Sequence, residues 1–320
     1  EEGFEWANKA LVADNAQAHT LLAVLHRTRG ELEIALEHCD QSIQMSQAAG
    51  DLINLSKGYT NRGVILMDLN RWAEAVEAYE SALELLLDTG DAYVHAMTLG
   101  NLADVLRQLG DLEAAHGYAR TALEESIMLE SDFDIALAHL NLGEILLDQD
   151  ESQRARVEHL EVGLEHLLKH DIKDLLPQAE ADIAEAFLQE GMLDEAEEAA
   201  HRALDSAREQ DASVELGIAQ RILGQVLARQ NRVSEGEECI RESIETLEAI
   251  ASRYEVGHSY LALGAMLAVD ADREEEAKKA LQEAQTIFDE LGARLDLERV
   301  EALKVKPAAT DPSERGEGAQ

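Results

Sequence analysis

The sequence predicts an all-α chain built as a solenoid of antiparallel helix pairs. Three observations predict it. Small residues recur at a fixed step of 40 along the 320 residues. Between those marks apolar residues return every three or four positions, the helical period, and no β-branched alternation competes. Only 3 prolines interrupt the chain.

The repeat is registered at four positions. A small residue stands at Ala23, Gly63, Ala103, Gly143, Ala184, Gly224 and Gly264. Seven residues later comes a turn former: Gly30, Asn70, Gly110, Asp150, Gly191 and Asn231, then Ala271-Asp272. A second small column holds Ala35, Ala75, Ala115, Ala155, Ala196, Gly236 and Ala277. A third, mostly small, holds Ser42, Ala82, Ala122, Val162, Ala203, Ser243 and Ala284. The step stretches to 41 entering the fifth repeat and again inside the seventh.

Each element has a local reason. Residues 1–14 include Phe4–Ala13, which reads as the second helix of a repeat whose first helix is missing, as in an excised segment. Residues 15–290 hold seven repeats, each a helix, a turn and a second helix. The turn residues tolerate positive φ and stop the first helix. Gly50-Asp51, Gly90-Asp91 and Ser131-Asp132 mark breaks between repeats, with Asp available as N-cap. Small residues belong where two helix backbones cross closely. Residues 291–304, in the run Phe288–Leu303, read as a helix capping the last apolar face. Residues 305–320 have little apolar content and read as a disordered tail.

These residues carry a family resemblance. The tetratricopeptide pattern is W-x2-L-G-x2-Y followed by A-x3-F-x2-A. The second repeat reads Tyr59-x2-Arg62-Gly63-x2-Leu66, then Ala75-x3-Tyr79-x2-Ala82. The fourth reads His139-x2-Leu142-Gly143-x2-Leu146, then Ala155-x3-His159-x2-Val162. The seventh reads Tyr260-x2-Leu263-Gly264-x2-Leu267, then Ala277-x3-Leu281-x2-Ala284. From Glu1 to about Lys304 the chain resembles a tetratricopeptide repeat (TPR) array. The resemblance implies a right-handed superhelix whose first helices line a concave groove. The unit departs from the family in length, 40 residues instead of about 34, and in lacking the closing Pro. Six more helical residues lengthen a repeat by about 9 Å. That long variant resembles the repeats of kinesin light chains, of spindle-orientation scaffolds and of sensor arms on bacterial signalling ATPases.

The charge narrows the partners. Sixty-six acidic residues against 27 basic ones give a net charge of -39. Nucleic acid and anionic membranes need a clustered basic surface, so neither is an expected partner. Salt adaptation and ligand choice both remain open as the source of the acidity. No apolar run approaches the roughly 20 residues of a membrane span. A cytoplasmic location is the default expectation for a chain without a signal or a disulfide pattern.

The chemistry-bearing residues point away from catalysis. His159, His166 and His170 share one expected helix, but without an HExxH frame they read as one packed and two solvent-facing imidazoles. His19 and His139 stand at the Trp-type packing position. Cys39 aligns with the buried Tyr79 site, and the acids around Cys39 and Cys239 are the opposite of a thiolate's setting. Gly-rich phosphate loops, GxSxG and CxxC are missing from the sequence. The expectation is a non-enzyme with no metal and no cofactor.

Groove residues must repeat with the array's period. Asn61, Asn101 and Asn141 lie 40 apart, each two residues before a small residue. Asp182 continues the column, while Leu21, Ile222 and Ala262 break it. A carboxamide donates and accepts, so a row of them could hold a peptide backbone, as the resemblance to kinesin light chains implies. The other reading, in which the amides bond neighbouring helix backbone, stays open. The same registration places Thr20, Arg27, Lys57, Val64, Asp104, Arg107, Leu140 and Glu144 in the groove. Arg27, Lys57 and Arg107 would meet a ligand's acid, and Leu137–Leu147 would offer an apolar anchor site. The expected function is a non-catalytic module binding a peptide or extended protein segment. The alternative is a sensor or autoregulatory arm of a larger bacterial signalling protein, an ATPase, cyclase or transcription activator, holding a small effector or another domain of its own chain. An open solenoid end at residues 1–13 would also permit end-to-end self-association.

Overall fold

The computed structural model describes residues 16–305. The expected half-repeat at 1–14 and, apart from Val305, the expected tail therefore lie outside the described residues. Every regular element among the described residues is helical. The chain divides into two compact units, the first ending at Gln149 and the second starting at Asp150.

In the first unit the helices are α1 (Ala16–Arg27), α2 (Leu32–Ala49), α3 (Leu52–Asp68), α4 (Trp72–Thr89), α5 (Ala92–Gln108), α6 (Leu112–Met128) and α7 (Asp132–Asp148). Odd-numbered helices are the first helices of successive repeats and touch one another, α1 with α3, α3 with α5, α5 with α7. Each even-numbered helix packs against the first helices on either side, so the unit has two layers. Asn70 reverses the chain between α3 and α4 at φ 59°, in the left-handed region that the turn requires. Asp51 and Asp91 cap α3 and α5 by accepting from the backbone N–H groups of Asn54 and Val94. At the third break the expected Asp cap is displaced. Glu130 takes the positive φ, Ser131 is the N-cap and bonds Asp134, and Asp132 is already inside the helix.

The small columns lie where they are needed. Ala103, Ala115 and Ala119 are fully buried and pack with Leu142 and Ile145. Gly63 faces the ring of buried Tyr79, with no room for a Cβ between them.

The second unit opens with α8 (Ser152–Ala155), a π-helical turn at Arg156–Leu160 and α9 (Glu161–Lys169). It continues with α10 (Leu176–Glu190), α11 (Leu193–Glu209), α12 (Ser213–Arg229), α13 (Val233–Ala249), α14 (Arg253–Leu267), α15 (Glu274–Leu291) and α16 (Arg294–Val305). The π turn holds the extra residue that stretches the repeat step to 41. It also corrects the pattern read for this helix. One added residue rotates everything after it by one position, so Leu160 (0% exposed) and Gly163 are buried, while His159 is half-buried and Val162 is 40% exposed. From Gly163 to Ala203 the step is 40 again. Arg156, at the start of the turn, is fixed by a bidentate bond to Glu190 at 2.8 and 3.0 Å and stacks over Phe187. The second stretch is absorbed by a 3-10 turn, Ala271–Arg273, whose preceding Asp270 accepts from the Asp272 N–H.

The last helix starts later than residue 291. Gly292 (φ 75°) ends α15, and the Ala293 N–H bonds the Phe288 carbonyl, so Phe288 and Leu291 belong to α15. α16 is anchored by Asp296, 1% exposed, which accepts from Tyr254 Oη at 3.0 Å and from Arg299 at 3.0 Å. Among the described residues, no helix is long and apolar enough to cross a membrane.

Candidate functional site

The first helices of unit one present one residue each, per column, to the face away from the second helices. Asn61 on α3 and Asn101 on α5 occupy one such column. Both are half-buried, and neither carboxamide hydrogen-bonds to another described residue. Asn141 on α7 differs. It is 8% exposed and its Nδ2 makes a long contact, 3.5 Å, with the Gly100 carbonyl of the preceding first helix. The residue opposite Asn141 is a glycine, which leaves that backbone uncovered. The positions 40 residues before Gly100 and before Thr60 are Thr60 and Thr20, and neither Asn101 nor Asn61 makes the corresponding bond. The reading in which the amide bonds a neighbouring helix thus describes Asn141, and not Asn61 or Asn101.

Several expected groove residues are engaged elsewhere. Thr20 turns toward its own second helix and bonds Ser42 Oγ at 2.8 Å. Its counterpart Thr60 is buried and bonds Thr98 at 3.0 Å. Leu140 is buried, as are Leu142, Ile145, Leu146 and Leu147. That apolar run is core, not an anchor site, because its residues seal one first helix against its neighbours. Val64 is half-buried on the open face beside Asn61.

The three cations are paired. Arg27 bonds Asp68 with its Nε at 2.5 Å, and Lys57 meets Asp91 at 3.2 Å. Arg107, 16% exposed, is enclosed by Asp104 and Glu144, both at 3.2 Å, and Asp148 at 3.0 Å. Arg27–Asp68 and Arg107–Asp148 are the same contact made two repeats apart. In each, an arginine of one first helix reaches an aspartate on the next first helix, one position past the arginine's own counterpart there. Each cation is therefore matched within the array. The pairs of Arg27 and Lys57 are solvated and weak, whereas that of Arg107 is enclosed.

Sequence reading missed a second column of the same period. Ile53, Tyr93 and Phe133, in the first turns of α3, α5 and α7, are all exposed. The repeat registration would have found them had it been extended to the helix starts.

The thiols are poor nucleophiles. Cys39 is buried with its Sγ 3.2 Å from the Gly58 carbonyl, and burial, aided by Asp40, pushes its pKa up to about 12. Cys239 is shifted upward too, first by burial and then by Glu242. His166 and His170 stack on each other with ring centres 4.5 Å apart.

Helix pairs in register, with polar side chains carried on adjacent first helices, define a class of helical repeat arrays. Tetratricopeptide repeats occupy the first half of the chain: models of that repeat match residues 14–88, 54–124 and 101–165. No curated protein sequence matches the chain. Among solved structures, a Rap protein complexed with competence and sporulation factor aligns at TM-score 0.61 and 16% identity, over 94% of this chain and 96% of that one. The Rap conjugation gene regulator of plasmid pLS20, solved with a Phr peptide, aligns at 0.67 and 14%, over 86% and 74%. A signal-transduction ATPase with a tetratricopeptide repeat sensor, from Pyrococcus horikoshii, aligns at 0.60 and 17%, over 89% of this chain and 45% of that one. At these identities the likeness is one of fold.

Proposed function

We propose that the first-helix face of unit one recognises an extended peptide or protein segment through its backbone, without catalysis. The observation that carries this is the pair Asn61 and Asn101, two carboxamides on adjacent first helices with their hydrogen-bonding capacity unused. Each can accept from a peptide N–H and donate to a C=O. Neighbouring helix axes lie about 8–10 Å apart, close to three residues of extended chain at about 3.3 Å each. The two amides would then grip every third peptide unit and leave the ligand's side chains to Val64, Met97 and Asp104 nearby. The Rap structures, solved with peptide factors, lend support by fold alone.

A second reading rests on the likeness to the ATPase sensor, in which an array of this kind is one part of a longer chain. The same face would then hold a neighbouring domain.

The test is a random-peptide display selection on the intact chain, with selected peptides re-measured on variants. Asn61→Ala/Asn101→Ala should weaken most peptides tenfold or more, whatever their side chains, because about 1–1.5 kcal/mol is lost per hydrogen bond. Asn141→Ala should matter much less. Unchanged affinities in the double variant, or no selected peptide at all, would remove the proposal.

A further inference from the structure

The exposed column Ile53, Tyr93 and Phe133 belongs to the face that carries Asn61 and Asn101. On α5, Tyr93, Met97, Asn101 and Asp104 follow at steps of four, four and three, so they form one stripe along the helix. The same stripe reads Ile53, Lys57, Asn61 and Val64 on α3, and Phe133, Leu137, Asn141 and Glu144 on α7. Its start is apolar, with Ile53 51% exposed, Tyr93 52% and Phe133 41%. Met97, packed against Ala82, Leu86 and Val94, continues that surface toward Asn101. A single exposed aromatic residue needs no explanation, but large apolar side chains at one position of three successive first helices form a row. The other end of the stripe is acidic. Asp104 and Glu144 at 3.2 Å and Asp148 at 3.0 Å share the guanidinium of Arg107, three carboxylates on one cation.

The spacing of the row restricts the conformation of its occupant. Neighbouring helix axes lie about 8–10 Å apart. Two residues of β-strand cover about 6.6 Å and four about 13 Å, so neither step brings equivalent side chains over successive first helices. Three residues cover the distance, but a strand turns every third side chain to its opposite side. Polyproline II has three residues per turn at about 3.1 Å each, so equivalent side chains recur on one side about 9.3 Å apart. Its backbone makes no internal hydrogen bonds, which leaves C=O groups and the N–H groups of its non-proline residues for the carboxamides of Asn61 and Asn101. Charge selects among such segments. The acids at the end of the stripe, on a chain with a net charge of -39, favour a basic occupant and disfavour a second copy of this chain.

We propose, on the peptide-binding reading above, that the occupant of this face is a basic polyproline II-type segment with a bulky apolar side chain at every third residue and lysine or arginine between. Its backbone lies over Asn61 and Asn101. Its apolar side chains point toward the starts of the first helices, where Met97 stands about 6 Å along the helix from Asn101 and Tyr93 about 12 Å. Leucine or a larger residue is needed to cover Met97 and approach Tyr93, and alanine falls short. The cations point the other way, toward Asp104, about 4.5 Å along the helix from Asn101, and toward Glu144 on the next first helix. Each repeat thus reads one apolar residue, one peptide unit and one charge.

The test titrates the intact chain into a fluorescein-labelled peptide of four Leu-Pro-Lys units and follows fluorescence anisotropy. Three further peptides separate the parts of the proposal: the same residues reordered so that no two leucines stand three apart, one with alanine for each leucine, and one with glutamate for each lysine. Each should bind about tenfold more weakly than the first. Tyr93→Ala/Phe133→Ala, two exposed positions, should weaken the leucine peptide about tenfold and leave the alanine peptide unchanged. A reordered, alanine or glutamate peptide that binds as tightly as the first overturns the proposal, and so does full affinity for the leucine peptide in the Tyr93/Phe133 variant. If that happens while Asn61→Ala/Asn101→Ala weakens every peptide, the peptide-binding reading survives and this inference fails alone. If the double Asn variant binds every peptide unchanged, or the unaltered chain binds none, both fail. The comparison among peptides uses the unaltered chain, so the folding of a variant does not enter it.

Discussion

The same substitution, glycine to alanine, should stabilise one helix of this protein and destabilise another. Gly224 on α12 and Gly236 on α13 mark the closest approach of that helix pair. A Cβ added at Gly224 would stand 2.6 Å from the Gly236 carbonyl oxygen, 2.6 Å from Ile240 Cγ1 and 3.1 Å from the Ile240 nitrogen. Two of those three atoms are backbone, so no side chain can swing clear and the helices themselves must part. Overpacking of this kind costs about 1–3 kcal/mol, toward the upper end where backbone must move. Alanine returns about 1 kcal/mol of helix propensity. Gly224→Ala should therefore lose about 1–2 kcal/mol. Gly117 on α6 is an exposed helical glycine whose added Cβ would meet nothing within 4 Å, so Gly117→Ala should gain about 0.5–1 kcal/mol. Urea unfolding followed by far-UV circular dichroism resolves both, since m-values of about 1–3 kcal/mol/M turn 1 kcal/mol into a midpoint shift of about 0.3–1 M. If Gly224→Ala raised the midpoint as Gly117→Ala does, close backbone crossing would not be what keeps this column small.

Other outcomes follow from single contacts. Leu160→Ala should cost about 2–5 kcal/mol because Leu160 is the buried residue after the π turn, whereas His159→Ala should change the unfolding midpoint little. Asp296→Ala should cost about 2–4 kcal/mol by removing the acceptor that Tyr254 Oη and Arg299 share, and hydrogen exchange should quicken first in α16. The Arg273 guanidinium holds the Glu237 carboxyl down to about 2 from an ordinary value of 4.5. A depressed folded pKa means this contribution is complete above about pH 4.5 and disappears as the pH falls toward 2, so Arg273→Gln should flatten the loss of stability measured across that window. Cys39 should resist thiol reagents at pH 8 in the folded chain and react only on unfolding, with Cys239 reacting first.

Much of this architecture was legible because it is periodic. Positive φ falls at Gly30, Asn70, Gly110, Asp150, Gly191 and Asn231, the six single-residue turns that the register marks. A turn of that kind is a local event, dictated by which side chains tolerate a left-handed backbone, so one sequence suffices to find it. The fourth repeat shows where period alone fails. The inserted residue was visible as a lengthened step, but a step says only that a residue was added between two marks. Placing it required knowing which side chains are buried, and burial moved the packing position from His159 to Leu160. The pairing of the cations was hidden for a related reason. Arg27 and Arg107 find partners one position beyond the repeat, and a search at equal spacing passes over that diagonal.

The Asn column shows how one registered position takes up different contacts along the array. Asn61, Asn101 and Asn141 share a residue type, a helix face and a spacing, yet only Asn141 turns to its neighbour's backbone. The difference lies in the facing residue. Gly100 offers its carbonyl to Asn141, whereas the equivalent residue before Asn101 is Thr60, whose hydroxyl is engaged by Ser56 and Thr98. Asn101 makes no such bond to the preceding helix. On a face whose cations are already matched with acids of the next repeat, the proposed reading gives these two amides to a ligand. A carboxamide both donates and accepts, so on that reading the face registers that a chain is extended before it registers which chain it is.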